Sequence, residues 1–241
     1  MSVPINRTAV ILLASGLSRR YGRKDKMLAN LGGKPLVEHA GGVIAGLDAL
    51  VRVAVCPADS KEIGERLIGR FVIAVNKKPK SGLGHSIAVG VQVALQFKPD
   101  AMLIAMGDMP FVEQDVLHNL MSHLGGHGGA DIVHSGGADG VRTPTAFGPA
   151  TFDALAALDG DDGAKSVVRS GAFSVLGVAA PAPLLFDIDT KEDLDLARAQ
   201  LAIREKYARA NAAPAKPGRP APPPIDLSQY RAGAREQVVR R

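Results

Sequence analysis

Short apolar runs alternate along the chain with segments of helical periodicity. The apolar runs lie at residues 9–14, 51–56, 71–75, 101–106 and 130–134. The helical segments between them lie near residues 35–47, 60–69, 84–97 and 113–124. A strand that is apolar on both faces must be covered on both faces, and a helix between successive strands allows them to run parallel. The alternation therefore predicts an α/β fold with a buried, mostly parallel sheet.

The following region contains shorter strand candidates and one long helix. The strand candidates lie at residues 142–148, 173–178 and 184–188. A final helix is predicted from Thr190 to about Ala208, with Thr190 as its N-cap and Asp193 at the third helical position, as in a capping box. The chain has 241 residues, of which 46% are hydrophobic, and this is enough for one sizeable core. We expect a single three-layer α/β/α, Rossmann-like domain over residues 1–208.

The composition changes at about residue 209. From there to residue 241, proline, alanine and arginine dominate and bulky apolar side chains are sparse. Such a segment cannot bury enough surface to offset the entropy lost on ordering, so residues 209–241 are predicted to be a disordered tail. The tail carries seven Lys or Arg and two acidic residues, which accounts for the whole formal charge of +5. The domain itself is therefore close to neutral, which argues against nucleic acid as a partner.

The sequence also bears on the cellular compartment. It contains no apolar run long enough to cross a membrane, and the segment MSVPINRTAV lacks the charged and then apolar pattern of a secretory signal. The single cysteine, Cys56, cannot form a disulfide within the chain, which fits a reducing compartment. We therefore expect a cytoplasmic protein without a membrane partner.

A turn of small residues and a cluster of positive charge follow the first apolar run, in LLASGLSRRYGRKDK. Ser15, Gly16 and Ser18 can bring backbone N–H groups close to a ligand, and Arg20 and Lys26 can reach the same anion. A strand, a glycine turn and converging cations are typical of a phosphate-binding loop. The spacing matches neither GxxxxGK[ST] nor GxGxxG. The alternative is a solvated basic loop that only links a strand to a helix.

A second strand end carries a carboxylate. Asp108 follows the apolar run 101–106 through Gly107, and Met109 and Pro110 then turn the chain. Ligands of open parallel sheets bind outside the carboxyl ends of the strands, so we expect Asp108 to face the basic loop. One or two carboxylates together with substrate phosphates are the usual surroundings of Mg²⁺ in proteins. Asp108 is therefore a candidate Mg²⁺ ligand, and the alternative is an N-cap or turn residue.

Together these segments resemble the nucleotidyltransferase family that includes the molybdenum cofactor guanylyl- and cytidylyltransferases. LASGLSRRYGRKDK is similar to the LAxGxSxRxG motif of that family and the lysine after it, and GDMPFV is similar to its metal-binding GD-x-P segment. Further similarities follow in order in GKPLVEHA (33–40), SGLGHSIAVGV (81–91), LDGDDGAKSVV (158–168) and FDIDTKEDL (186–194). The resemblance covers about residues 9–200 and excludes the tail.

The resemblance implies a reaction in which a substrate phosphate attacks the α-phosphorus of a nucleoside triphosphate and pyrophosphate leaves. It gives catalytic roles to Arg20 and Lys26, which would hold the triphosphate, and to Asp108, which would hold Mg²⁺. It also implies that Asp189 is a second Mg²⁺ ligand, although a carboxylate there could instead favour the start of the last helix. The residues that would bind the nucleotide are Leu13, Ala14, Ser15, Gly16, Ser18, Gly82, Gly84 and Ser86.

Base choice depends on residue 15. Where this chain has Ser15, the guanylyl branch of the family has glycine and the cytidylyl branch has alanine. Guanine needs more room against the loop, so the Cβ of Ser15 favours CTP, and the segments LDGDDGAK and GLGHSIAVG also look more like the cytidylyl branch. The expected substrates are CTP and a molybdopterin-type acceptor, whose binding side includes Lys165.

Other readings of the same resemblance stay open. One is guanylyl transfer from GTP to the same cofactor, and another is nucleotidyl transfer to a sugar or polyol phosphate. A third, of a different class, is a non-catalytic chaperone that binds the cofactor. The basic tail is the feature that favours this class, because it could contact a molybdoenzyme or a maturation chaperone.

Overall fold

The computed structural model of the protein describes residues 3–16, 20–22, 25–125, 129–136 and 140–212, with the backbone alone for the last three. The strands in these ranges are β1 (Thr8–Leu13), β2 (Asn30–Leu31), β3 (Lys34–Pro35), β4 (Val51–Pro57), β5 (Val72–Asn76), β6 (Ala101–Met106), β7 (Ile132–His134), β8 (Thr145–Phe147) and β9 (Val175–Gly177). The α-helices are α1 (Leu36–Ala45), α2 (Lys61–Leu67), α3 (Gly82–Leu95), α4 (Gln114–Ser122), α5 (Phe152–Ala156), α6 (Lys165–Arg169) and α7 (Lys191–Ala212).

Most of these strands join in one sheet. In the described part of the chain, seven strands pair in the order β5-β4-β1-β6-β8-β7-β9, and β2 and β3 form a separate hairpin. Neighbouring strands of the large sheet are parallel except where β8 pairs with β6 and β7. All six residues of β1 are buried, because this central strand is covered on both faces. The predicted α/β fold with a mostly parallel sheet is confirmed.

The two faces of the sheet bury separate apolar cores. Side chains alternate along β1, so Val10 and Leu12 lie in one core and Ile11 and Leu13 lie in the other. Helices α1, α2 and α4 cover the first core, and α3, α5 and α6 cover the second. These are the three layers that the sequence predicted. The loops after β1 and β6 leave the sheet between the layers, at its carboxyl edge.

The strand predicted at residues 184–188 is wrong. Ala182–Leu185 instead form a 3-10 helix, and Pro183 within it lacks the N–H group that a strand ladder needs. The apolar character of this segment reflects burial of its side chains, including that of Ile188. The Ile188 N–H donates to the carbonyl oxygen of Asp108 at 3.1 Å, which brings the end of the segment beside β6.

The last helix, α7, starts as predicted. The N–H of Asp193 donates to Thr190 Oγ1 at 3.1 Å, and Asp193 Oδ2 accepts from the N–H of Thr190 at 2.9 Å, which is a capping box. The helix continues past its predicted end to Ala212. Residues 213–241, which make up most of the predicted tail, lie outside the described residues. Of the helices described, α7 included, none combines the length and the apolar character needed to cross a bilayer.

Close contact between α3 and the sheet depends on a glycine. A Cβ added at Gly90 would stand 2.7 Å from Ile11 Cγ2 and 2.8 Å from Val55 Cγ2. Non-bonded carbon atoms normally stay about 3.5–4.0 Å apart. Gly42 on α1 offers a contrast, because it is exposed and an added Cβ would meet nothing within 4 Å.

We expect Gly90→Ala to lower the free energy of unfolding by about 1–3 kcal/mol, because the new methyl group would overpack the core. Gly42→Ala is the matched control and should raise the free energy of unfolding by up to about 1 kcal/mol, since alanine is the better helix former. Urea unfolding followed by circular dichroism measures both changes. Equal effects of the two substitutions would contradict the close packing of α3 on the sheet.

Candidate active site

The carboxyl ends of β1 and β6 lie side by side and carry the loops that form the site. Leu13, the last residue of β1, pairs with Met106, the last residue of β6. The N–H of Gly107 then donates to the Leu13 carbonyl at 2.9 Å, and a Cβ at Gly107 would stand only 3.1 Å from Met27 Sδ. A glycine thus lets β6 end tightly against its neighbours, and Asp108 follows it into the cleft.

The charged side chains of Arg20, Lys26, Asp108 and Asp189 meet in this cleft. Lys26 Nζ lies 2.7 Å from Asp108 Oδ2 and 3.2 Å from Asp189 Oδ1. Arg20 Nη2 lies 2.7 Å from Asp189 Oδ2. The side chains of Lys26 and Asp108 are more than nine-tenths buried, whereas that of Arg20 is 73% exposed. The structure therefore brings together all the residues predicted to be catalytic or to bind the metal.

Local backbone structure holds Lys26 and Asp189. Lys26 begins a 3-10 helix whose N-cap, Asp25, accepts a hydrogen bond from the N–H of Met27 at 3.0 Å. The N–H of Asp189 donates to Asp193 Oδ2 at 3.1 Å. Asp193 makes the capping contacts at the start of α7, and the carboxylate of Asp189 instead contacts Lys26 and Arg20. The carboxylate of Asp189 is thus directed to the cleft and not to the helix start.

Burial and neighbouring charges shift the pKa values of the two buried ionisable groups of the site. Burial raises the pKa of the Asp108 carboxyl, Lys26 opposes this, and Asp187 and Asp189 raise it further. Burial lowers the pKa of the Lys26 ammonium, but the attraction of Asp108 and Asp189 outweighs it, so this pKa lies above its ordinary value. Both groups hold protons more tightly than they would in water. The two carboxylates thus favour the charged form of Lys26, whereas burial opposes the charged form of Asp108.

The carboxylate oxygens of the cleft are also suited to bind a metal ion. Asp108 Oδ1 is buried and has no hydrogen-bond partner among the described residues, which is costly unless a ligand satisfies it. Asp189 can supply a second oxygen, because both carboxylates contact the same Lys26 Nζ. The described residues hold no group of three or more His, Cys, Asp or Glu placed to bind a metal. A cation here would therefore take its other ligands from substrate or water, as Mg²⁺ often does.

A first cavity of about 320 Å³ lies between the loop after β1 and the start of α3. Several residues predicted to bind nucleotide line it, namely Leu13, Ser15, Gly16, Gly82 and Ser86. Two others do not, because Ala14 packs in the apolar core and Gly84 packs against a neighbouring loop. Ser18, predicted for the same role, lies outside the described residues. Arg20, Lys26, Asp108 and Asp189 also line this cavity, so it opens directly onto the charged residues.

The start of α3 lies so close to residues 159–161 that two of its positions, Gly82 and Gly84, have no room for a side chain. A Cβ at Gly84 would stand 2.6 Å from the carbonyl oxygen of Asp159. At Gly82, where φ is +96°, it would stand 2.3 Å from the carbonyl oxygen of Gly160. The N–H of Gly84 also donates to that Gly160 oxygen at 2.8 Å. Gly84 therefore holds the LDGDDG loop against α3, and this contact brings Asp161 to the wall of the cavity.

A second cavity of about 580 Å³ adjoins the first. Apolar residues from α3 and the sheet, such as Ile87, Ile104 and Phe147, line it, together with the exposed cations Arg142 and Lys165. The residues that line both cavities are Leu13, Arg20, Leu83, Met106, Asp108, Asp161 and Asp189. The carboxylates of the cleft thus lie where the two cavities meet. Arg142 was not predicted, because a single arginine at the start of a predicted strand gives no signal of a binding site.

Ser15 belongs to a buried hydrogen-bond network. Ser15 Oγ lies 2.8 Å from Ser86 Oγ, and Asn76 Nδ2 donates to Ser86 Oγ at 3.0 Å and to Ser15 Oγ at 3.4 Å. All three residues are at least 96% buried. The sequence predicted Ser15 and Ser86 as nucleotide-binding residues but missed Asn76, since one asparagine at the end of an apolar strand matches no motif.

We expect Lys26→Met to lower the free energy of unfolding by about 3–5 kcal/mol, because the buried Asp108 carboxylate would lose its cationic partner. Arg20→Met is the matched control and should change the free energy of unfolding by no more than about 1 kcal/mol, since its ion pair is exposed. Denaturant unfolding near neutral pH compares the two variants. A small effect of Lys26→Met would show that Asp108 is not charged in the free protein.

A curated relative matches part of the chain. It is the bifunctional protein GlmU of Francisella philomiragia, which is 35% identical over 117 residues. The match takes in 47% of this chain and 25% of the relative, so the chain spans about a quarter of that protein.

Solved structures share the fold at low identity. A homologue of Mycobacterium tuberculosis Rv0371c from Mycobacterium sp. strain JC1 superposes with a TM-score of 0.70 at 21% identity, covering 83% of this chain and 100% of that one. The manganese complex of Mycobacterium tuberculosis Rv0371c has a TM-score of 0.62 at 22% identity, covering 80% and 97%. The molybdopterin-guanine dinucleotide biosynthesis protein A of Archaeoglobus fulgidus has a TM-score of 0.59 at 18% identity, covering 81% and 99%.

The decisive comparison is with a family model. The model of the MobA-like NTP transferase domain matches residues 10–175, which is more than half of the chain. The match includes Asp108 and most of the residues that line the two cavities. The loop after β1 and Asp108 lie within this match. The seven strands of the large sheet also lie within it, apart from the first residues of β1 and the last residues of β9. The chain belongs to the MobA-like NTP transferase domain family.

Proposed function

We propose that the protein transfers CMP from CTP to the terminal phosphate of a molybdopterin-type cofactor and releases pyrophosphate, with Mg²⁺ as the metal. The observation that carries the proposal is the buried Lys26 ammonium between Asp108 and Asp189, where two cavities meet. One cavity is then available for the nucleotide and the other for the acceptor. Their phosphates would meet at the charged residues, as a transfer between two substrates requires.

Lys26 and Arg20 are suited to hold the triphosphate. The Lys26 ammonium has three donors and is held in place by two carboxylates, so it is oriented before substrate arrives. Arg20 is exposed and forms an ion pair with Asp189 in the described part of the chain, so its guanidinium can turn to a phosphate without crossing the core. Charge-assisted hydrogen bonds of this kind contribute about 1.5–3 kcal/mol each. Both cations would also offset the charge that builds on the leaving pyrophosphate.

Asp108 and Asp189 are the residues that would hold the metal. Asp108 Oδ1, which has no hydrogen-bond partner among the described residues, and the shared contact of both carboxylates with Lys26 support this role. When bound, Mg²⁺ supplies positive charge that offsets the charge of the reacting phosphates. The carboxylates themselves orient the Lys26 ammonium.

The second cavity suits a flat acceptor that carries a phosphate. Its walls combine apolar side chains, which would cover a ring system, with Arg142 and Lys165, which would bind the phosphate. Asp108 and Asp189 line the same cavity, so an acceptor phosphate bound there could approach the α-phosphorus of a nucleotide in the first cavity. The molybdopterin-type acceptor is taken from the sequence resemblance and from the name of one fold neighbour, the molybdopterin-guanine dinucleotide biosynthesis protein A of Archaeoglobus fulgidus.

The proposal is tested by Asp108→Asn, which keeps the shape of the side chain and removes its charge. We expect pyrophosphate release from CTP, with molybdopterin and Mg²⁺ present, to fall about 100-fold or more, because the metal would lose its buried ligand. Thermal melting should show that the variant is folded. Asp48→Asn is the matched control, since this exposed carboxylate lines neither cavity, and its turnover should stay near that of the wild type.

Near-normal turnover of Asp108→Asn would remove Asp108 from the metal site. The same assay run with GTP, and with a sugar phosphate in place of molybdopterin, separates the alternatives. Binding of molybdopterin without release of pyrophosphate from any nucleotide would indicate a chaperone and not an enzyme.

Base choice is tested at Ser15, which lines the first cavity. If its Cβ narrows this cavity, the wild type should prefer CTP to GTP. Ser15→Gly should then raise the use of GTP relative to CTP. The expected change in the free energy that discriminates the two nucleotides is about 1–3 kcal/mol, because one small steric change contributes no more than that. A competition assay with equal CTP and GTP, in which both dinucleotide products are measured, decides the matter. An unchanged product ratio would move base selection to residues 82–86.

A further inference from the structure

Asn76 is the last residue of β5, is fully buried and lines neither cavity. Its side-chain amide nevertheless contacts three separate segments. Nδ2 donates to Ser86 Oγ at 3.0 Å and to Ser15 Oγ at 3.4 Å, and Oδ1 accepts from the N–H of Lys78 at 2.8 Å. Both ends of the amide are thus used, and the orientation of its oxygen and nitrogen follows from these partners.

The hydrogen atoms of the network can be assigned from the same contacts. Ser86 Oγ donates to the carbonyl oxygen of Gly82 at 3.2 Å, so the hydroxyl of Ser15 must be the donor in its 2.8 Å contact with Ser86. Ser86 Oγ then donates one hydrogen bond and accepts two, the second from Asn76. The Ser15 hydroxyl hydrogen is therefore committed to the protein and is not offered to the cavity.

The three partners of Asn76 belong to segments that border the first cavity. Ser15 lies in the loop after β1, Lys78 directly precedes the lining residue Pro79, and Ser86 lies in the first turns of α3. Buried polar groups hold their partners firmly, because breaking one contact leaves an unpaired group away from water. Asn76 thus links the loop after β1, the segment before α3 and α3 itself.

We propose that Asn76 is a positioning residue for the nucleotide. It fixes the separation of the two walls of the first cavity and the orientation of Ser15, the residue at which base choice is made. It acts through Ser15 and Ser86 and does not touch the nucleotide. This inference rests on the proposed function, because it takes the first cavity as the nucleotide site. Loss of the amide should then impair nucleotide binding and leave acceptor binding in the second cavity intact.

Asn76→Leu tests the proposal, because leucine has a similar shape and no hydrogen-bonding groups. We expect the KM for CTP to rise about tenfold, because this change corresponds to the free energy of about one hydrogen bond. The preference for CTP over GTP should fall, and the KM for molybdopterin should stay unchanged. Calorimetric titration with CTP alone should show the same rise in Kd without any turnover.

Thr151→Val is the matched control. Thr151 is fully buried, its Oγ1 donates to the carbonyl oxygen of Gly148 at 2.7 Å, and it lines neither cavity. This substitution should lower the melting temperature and leave both KM values unchanged, as a merely structural role would. If Asn76→Leu does not fold, Ser86→Ala removes the oxygen that both Asn76 and Ser15 contact, and the same rise in the Kd for CTP is expected.

The outcomes separate this inference from the proposed function. Unchanged CTP affinity in folded Asn76→Leu, or in Ser86→Ala where the first variant is unfolded, would overturn the role of Asn76 and leave the proposed function standing. An equal rise of the KM values for CTP and molybdopterin would indicate general disruption and would also overturn it. Wild-type protein that binds no nucleoside triphosphate would overturn both proposals.

Discussion

A buried ammonium between two carboxylates organises the functional half of this molecule. Lys26 Nζ lies within hydrogen-bonding distance of Asp108 and Asp189, which come from segments far apart in the chain. Each of these ions would be costly to bury alone, and each is tolerated because the others are present. The contacts therefore tie the loop after β1, the end of β6 and the start of α7 to one point. They also leave Asp108 Oδ1 without a hydrogen-bond partner among the described residues.

The parallel sheet explains why this point lies where it does. β1 and β6 are adjacent and parallel, so their carboxyl ends and the loops that follow them open at the same edge. The glycine after β6 lets the chain turn against Leu13 and Met27 without a clash. The cations and carboxylates that meet there stand where both cavities open. This arrangement suits the transfer of a charged group between two bound substrates, since it combines positioning with charge stabilisation.

The walls of the cavities depend on a different kind of contact. Gly82 and Gly84 let α3 approach residues 159–161 more closely than any side chain would allow. Asn76 links α3 to the loop after β1 through the two serine hydroxyls, and it also accepts from the N–H of Lys78. These contacts are neutral and short in range, so they set shape and leave the charge of the site to Lys26 and its partners. The shape of the first cavity and the charge of the cleft thus depend on separate sets of residues.

The sequence by itself determined the layers of the fold, the central strands and the charged residues of the cleft. Apolar runs such as 101–106 and the capping residues Thr190 and Asp193 are local patterns, and local patterns reflect burial and backbone hydrogen bonding directly. Arg20, Lys26, Asp108 and Asp189 could be predicted because the segments around them resemble a family. The same local signal gives a wrong prediction at 184–188, because the apolar side chains there are buried without forming a strand.

Only the tertiary structure decided which of the predicted residues touch and what else joins them. It showed that Gly84 packs against a loop and does not line a cavity, that Arg142 faces the second cavity, and that Asn76 connects Ser15 to Ser86. The contact between Ser15 and Ser86 joins residues 71 positions apart. No local periodicity encodes such a distance, because it depends on how the strands order in the sheet and how closely each helix packs on them.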